Sequence, residues 1–208
     1  MQIKALGLNG TLKSSSETSS TQKLLDQLLQ RLGDFGVETN SVRLADRHIP
    51  PGVKADEGEG DQWPDIRRQM MDAQILVLAT PIWVGQPSSL IKRAIERMDA
   101  FLDEIDEDGY YPTFGKVGIV AVVGNEDGAH HVAAELYQSL ADFGFTIPGG
   151  SNAYWVGEAM GSKNYVDLDK TPDKLVEAID TLACNAAHLA HVLAKSPYPH
   201  VPKGGKSK

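Results

Sequence analysis

A chain of 208 residues, 41% hydrophobic and 23% charged, has the composition of a globular protein and the length of one domain rather than two. Its 20 basic and 28 acidic residues leave a net charge of −8, which disfavours a general nucleic-acid or anionic-membrane binder. A single cysteine, Cys184, excludes an internal disulfide and a cysteine-built metal site. No apolar run approaches the roughly 18 residues of a membrane span, and the N-terminus reads without a signal peptide, so the expected location is the cytoplasm.

Short apolar runs alternate with amphipathic stretches along the chain. Ile3–Leu8 reads as the first strand. Leu24, Leu25, Leu28, Leu29 and Leu32 recur at helical spacing, with Ser19, Ser20 or Thr21 as the cap and Gly33 and Gly36 as the stop. Val37–Leu44 is a polar second strand. A Pro- and Gly-rich acidic loop, Asp46–Gln62, leads to a short helix over Trp63–Ala73 with Pro64 in its first turn. Ile75–Thr80 is a strand without polar alternation, as expected when both faces are covered. Ser88 or Ser89 opens a helix burying Leu90, Ile91, Ala94, Ile95 and Met98, and Asp103–Gly115 is a second long loop. Val117–Val123 is another doubly covered strand, followed by a helix with Val132, Leu136, Tyr137 and Leu140 inward. The stretch Phe145–Trp155 holds an edge-like fifth strand interrupted by Pro148, Gly149 and Gly150. Thr171-Pro172-Asp173 reads as a cap followed by Pro at the first helical position, opening a last helix with Leu175, Val176, Ile179, Leu182, Ala186, Leu189 and Val192 on one side.

Repeated strand–helix alternation predicts an α/β three-layer sandwich, with right-handed crossovers and helices on both faces of a parallel sheet. The apolar strands at 75–80 and 117–123 belong in the centre, and the polar second and Pro-interrupted fifth strands at the edges. That is the flavodoxin-like order 2-1-3-4-5 for a five-stranded sheet. Residues 1–195 form the expected domain, and the Pro- and Lys-rich residues 196–208 an expected disordered tail.

In such a sheet, ligands sit beyond the carboxyl ends of the strands, where strand order reverses. Three loops therefore matter. The first runs from Asn9, Gly10, Thr11 and Lys13 through Ser19, Ser20 and Thr21 into a helix. Its amides, hydroxyls and positive helix end suit a phosphate dianion, although a solvated, capped turn has the same residues. Neither a dinucleotide fingerprint nor a P-loop is present. The second loop, Pro81-Ile82-Trp83-Val84-Gly85, pushes large apolar groups out at a strand end. A flat heterocycle would cover them, and so would the first loop or a dimer partner. The third loop contains Gly124, Asn125, Glu126 and Gly128, whose glycines allow close backbone approach to a ligand. Asp127 is placed to cap the next helix.

With these motifs in order, residues 1 to about 190 resemble the flavodoxin-like NAD(P)H-dependent FMN reductase family. Gly10-Thr11-Leu12-Lys13 with Ser19-Ser20-Thr21 is similar to that family's phosphate turn. Thr80-Pro81-Ile82-Trp83-Val84-Gly85, followed by Leu90-Ile91-Lys92, is similar to its most specific motif. Gly124-Asn125-Glu126-Asp127-Gly128 stands for its glycine-bearing third loop. Lys13 replaces the usual Arg, which weakens bidentate phosphate binding, and Trp83 replaces the usual Tyr.

The resemblance implies bound FMN, NADPH or NADH as hydride donor, and a quinone, flavin or other small-molecule acceptor. It also implies a homodimer or homotetramer. The flavin would carry the chemistry, so no catalytic acid or base and no metal is expected. A non-enzymatic electron carrier like flavodoxin is the alternative. The Gly124 and Asn125 amides are expected at the reduced ring, where Glu126 and Asp127, if close, would lower the potential.

Other residues read as structural. His188 and His191 are expected to be partly buried in the last helix and Cys184 to be a small core residue. The acidic run Asp103–Asp108 reads as a solvated loop. Tyr110, Tyr111 and Phe114 either reach back to the site or pack beneath their own loop.

Overall fold

In the computed structural model, residues 2–150, 152–158 and 161–199 are described. The elements are β1 (Lys4–Asn9), α1 (Ser20–Asp34), β2 (Glu38–Arg43), α2 (Trp63–Asp72), β3 (Ile75–Trp83), β4 (Gln86–Pro87), α3 (Ser89–Met98), β5 (Val117–Gly124), α4 (Ala129–Asp142), β6 (Asn152–Val156) and α5 (Asp173–Lys195). Five strands run parallel in the order β2-β1-β3-β5-β6, the expected flavodoxin-like order. A sixth, two-residue strand, β4, folds back antiparallel on the end of β3. The sequence gives little warning of it, because Trp83-Val84-Gly85-Gln86 lacks the usual Asn-Gly hairpin signal.

Strand alternation divides the interior in two. Ala5, Ile75, Val77, Val117, Ile119, Ala121 and Val123 face a layer made by α1 and α5. Their neighbours Leu6, Leu8, Leu76, Leu78, Val120 and Val122 face α2, α3 and α4. The central strands β3 and β5 are apolar on both faces for that reason, whereas β2 at the edge is largely exposed.

Local signals account for most helix ends. Ser19 caps α1 by accepting the Gln22 N–H, and Ser88 caps α3 by accepting the Ile91 N–H. Two expectations differ. Asp127 does not cap α4, whose N-cap is Gly128 with no side-chain bond. Pro172 is the N-cap of α5 rather than its first helical residue.

Helix α5 is rotated from the expected face. Leu175, Ile179, Leu182, Ala183, Ala186, Ala187, Ala190 and Leu193 are buried, while Val176 and Val192 are exposed. Small alanines let α5 lie close to α1 and β6, so the packed arc centres on them rather than on the valines. Cys184, His188 and His191 are consequently exposed, not core.

The Asp46–Gln62 loop is fastened to α3. Arg97, fully buried, donates to the Lys54 carbonyl at 2.9 Å and to the Asp61 carboxylate at 2.6 Å. Arg93 donates to the Ile49 carbonyl at 3.2 Å. At the amino end of the sheet, Tyr110, Tyr111 and Phe114 pack on one another, so they do not reach the carboxyl end. Tyr198 meets Phe114 edge-on and bonds Thr146 Oγ1 at 2.7 Å, and the Pro199 carbonyl accepts the Tyr110 hydroxyl. The remainder of the expected tail, 200–208, lies outside the described residues.

Candidate functional site

At the carboxyl end of the sheet, the loops after β1, β3 and β5 surround a cleft with about 760 Å³ of free space, mouth included. Of the residues singled out in the sequence, Thr11, Lys13, Ser19, Ser20, Thr21, Pro81, Ile82, Trp83, Gly124, Asn125 and Glu126 line it. Asn9, Gly10, Val84, Gly85 and Gly128 stand outside the lining and shape the loops.

Asn9 organises the first loop. Its Oδ1 accepts the Thr11 N–H at 2.9 Å and its Nδ2 donates to Gln22 Oε1 at 2.7 Å. Arg43, at the end of β2, donates to the Ser14 and Glu17 carbonyls and to Gln22 Oε1. Asp46 accepts the Ser15 N–H at 3.0 Å. These bonds bend Ser14–Thr18 toward β2 and leave those residues out of the cleft. Thr11, Ser19 and Thr21 are buried at its floor beside the first-turn amides of α1, which a helix leaves without intrahelical partners. Lys13 Nζ donates to the Thr18 carbonyl at 3.1 Å, so it spans its own loop.

The glycines also knit loop to loop. A Cβ on Gly10 would collide with Ile91, and one on Gly124 would come within 2.9 Å of Ile82 Cβ. One on Gly128, itself at φ 122°, would come within 2.9 Å of Gly85 Cα. Ile82 is therefore buried against the third loop, and Trp83 carries the exposed aromatic face, at 53% exposure.

Sequence reasoning missed Leu12, Val123, Trp155, Asn164, Tyr165 and Val166, which also line the cleft. Trp155 and Val123 sit at the carboxyl ends of β6 and β5, where a stricter use of topology would have found them. No local signal marks Asn164–Val166. This segment is tied to α1 by Lys23, whose Nζ donates to the Leu168 carbonyl at 2.9 Å and the Tyr165 carbonyl at 3.2 Å. Ser20 Oγ accepts the Val166 N–H at 3.1 Å. Asn125 Nδ2 donates to the Gly161 carbonyl at 3.1 Å, joining the segment to the third loop. Tyr165 stacks tilted on Trp155 at 5.4 Å. Burial raises the Tyr165 phenol above its ordinary value against the pull of hydrogen bonds to Thr171 and Gln27, so it stays neutral. Asp167 is held below the usual carboxylate range by bonds from Asn164, with Lys163 and Lys13 adding positive charge nearby.

The cleft thus offers buried hydroxyls and a helix end at one side and apolar, aromatic walls at the other. That donor set fits a planar ring carrying a phosphate tail. Among the described residues no group of three metal-ligating side chains occurs. No described helix is long and apolar enough to cross a membrane.

Comparisons with known proteins agree with this chemistry. The 8-demethyl-8-aminoriboflavin-5′-phosphate synthase of Streptomyces davaonensis is 34% identical over 212 residues, covering 95% of this chain and 81% of that protein. The crystal structure of RosB with bound 8-demethyl-8-formylriboflavin-5′-phosphate superposes with a TM-score of 0.84 at 33% identity, covering 94% of this chain and 82% of that one. A divalent metal cation transporter MntH of Mycobacterium bovis is 40% identical over 169 residues, or 79% of this chain, which spans only 25% of the transporter's length. Residues 3–161, which contain all three cleft loops, match the model of the NADPH-dependent FMN reductases, and the chain belongs to that family.

Proposed function

We propose that this chain holds FMN in the cleft, takes hydride from NAD(P)H and passes electrons to a quinone, free flavin or other small acceptor. The observation that carries this reading is the convergence of three family-matched loops on one cleft at the strand-order switch point. The amides of Ser20 and Thr21, with the Thr11 and Ser19 hydroxyls, would hold the phosphate without a dedicated cation. Pro81–Trp83 and Trp155 would border the ring, and the Gly124–Asn125 backbone would supply hydrogen bonds to its polar edge. Bound FMN supplies the hydride acceptor and the two-electron store; the protein's part is to bind, orient and shield. Exposed Leu12, Trp83 and Val84 at the mouth support self-association as a homodimer or homotetramer. A cytoplasmic location suits an NAD(P)H-linked reaction.

A second reading treats the flavin as the molecule transformed. It is supported by the 34% identity, over 95% of the chain, to a protein named as the synthase of a modified riboflavin phosphate. One experiment separates the readings. Purified protein is incubated with FMN, NADPH and a quinone, while NADPH absorbance is followed and the flavin is then weighed by mass spectrometry. Steady NADPH loss with FMN of unchanged mass supports the reductase. A flavin of altered mass supports modification. FMN binding with neither result points to an electron carrier.

A further inference from the structure

The turn joining β3 to β4 holds a residue in a backbone region that its side chain disfavours. Val84 has φ 52° and Gly85 φ 72°, positive at both central positions of a two-residue hairpin closed by the Trp83–Gln86 pair. Such turns ordinarily carry Asn-Gly, because a β-branched residue at positive φ is strained. Nothing apolar compensates Val84, whose side chain is 88% exposed. Strain of this kind persists only where the surroundings over-determine the conformation.

Three contacts from the next loop and helix do so. The Glu126 carboxylate accepts the Val84 N–H at 2.8 Å. Gly128 leaves room for the backbone of Gly85, which any side chain there would meet at 2.9 Å. Gln86 Nε2 and His131 Nε2 lie 3.0 Å apart. The bond to Glu126 is charge-assisted and is the one contact that reaches the strained residue itself.

We propose that Glu126 is a positioning residue, a latch whose carboxylate holds the Val84–Gly85 turn and so keeps Trp83 fixed as a wall of the cleft. It acts through Trp83 rather than by direct contact with the ligand. The inference rests on the cleft's being the FMN site, and the test separates the two. FMN affinity and the quenching of FMN fluorescence are measured for the wild type, Glu126→Ala, Glu126→Gln, Val84→Gly and the Glu126→Ala/Val84→Gly double variant. Amide exchange at residues 83–86 is measured on the same proteins without flavin.

Glu126→Ala is expected to weaken FMN binding by about tenfold, the loss of one charge-assisted bond. It should also speed exchange at Val84. Glu126→Gln keeps an acceptor of equal reach and should recover most of both. Val84→Gly removes the strain, so the double variant should bind FMN nearly as the wild type does. Weakened binding that Val84→Gly fails to rescue overturns the latch, since Glu126 would then act on the flavin itself. Unchanged Val84 exchange in Glu126→Ala also overturns it. If the wild type does not bind FMN, the proposed function fails, while the exchange measurement still decides the latch.

Discussion

The Arg97 guanidinium and the Asp61 carboxylate meet at 2.6 Å with neither side chain exposed to solvent. Asp61 also accepts the N–H groups of Glu57 and Trp63, and Arg97 donates to the Lys54 and Pro50 carbonyls. One ion pair therefore binds a loop of otherwise weak structure to α3. Asp61→Asn leaves a buried cation without its counter-charge and should cost about 3–5 kcal/mol of stability in urea unfolding. FMN affinity should stay within twofold or so, because the loop does not line the cleft. A single variant as stable as the wild type would show that the pair does not hold the loop.

The same pair predicts behaviour in acid. Burial pushes the Asp61 carboxyl up, but the bonds from Arg97 and from the Glu57 and Trp63 amides outweigh it and leave the value below 3.8. Between that lowered value and 3.8 the unfolded chain holds the proton and the folded chain does not. Stability from this group is thus fully present above pH 3.8 and is lost as pH falls through the folded value. Acid unfolding followed by circular dichroism should show a shallower decline in Asp61→Asn than in the wild type.

At the alkaline end the relevant group is Lys116. Its Nζ donates to the Met71 and Ala73 carbonyls at 2.7 and 2.6 Å, and burial pushes it down to about 8. From about pH 8 to 10.5 the unfolded chain retains the proton that the folded chain releases, so stability should rise with pH. The rise should be about 1–3 kcal/mol: the upper figure is the full displacement, and the lower allows for the two carbonyl bonds that favour the ammonium. Lys116→Met should lack this slope. Parallel pH profiles for the two proteins would refute the assignment.

If the floor of the cleft is built for phosphate, losing its hydroxyls should affect FMN more than riboflavin. Thr11→Ala with Ser19→Ala should weaken FMN by about tenfold or more while leaving riboflavin affinity almost unmoved. Titration of each flavin by fluorescence gives the ratio. Equal losses for both ligands would move the phosphate elsewhere.

Lys23 appears in the sequence as one more surface lysine on α1, yet it bonds the carbonyls of Tyr165, Val166 and Leu168 and lies 5.0 Å from the Tyr165 ring centre. Lys23→Met should loosen Asn164–Leu168 and lower stability by about 1.5–3 kcal/mol. Hydrogen exchange in that segment should accelerate while α2 and α3 stay unchanged. Uniform exchange across the chain would contradict the local role.

The sheet order and the three cleft loops were legible because they depend on short-range signals: doubly apolar strands, Thr80-Pro81 at a strand end, Ser19 at a helix start. The family resemblance rests on the same residues, and the match over 3–161 bears it out. What escaped depends on partners distant in sequence. Gly124 is filled by Ile82, Asn164–Val166 reach the cleft only through Lys23 and Ser20, and the face of α5 is set by alanines that periodicity underweights. Val84 was legible as a loop residue and invisible as a strained one, since its φ follows from Glu126 and Gly128 in another loop.

The whole Asn164–Leu168 segment lies past residue 161, where the family match ends. Side chains fasten this flank to the rest of the molecule: Ser20 and Lys23 bond its backbone, and buried Tyr165 bonds Gln27 and stacks on Trp155. If the cleft is the FMN site, exchanging residues 164–168 for those of a relative should change what is accepted beside the flavin while leaving the strands and the phosphate turn in place.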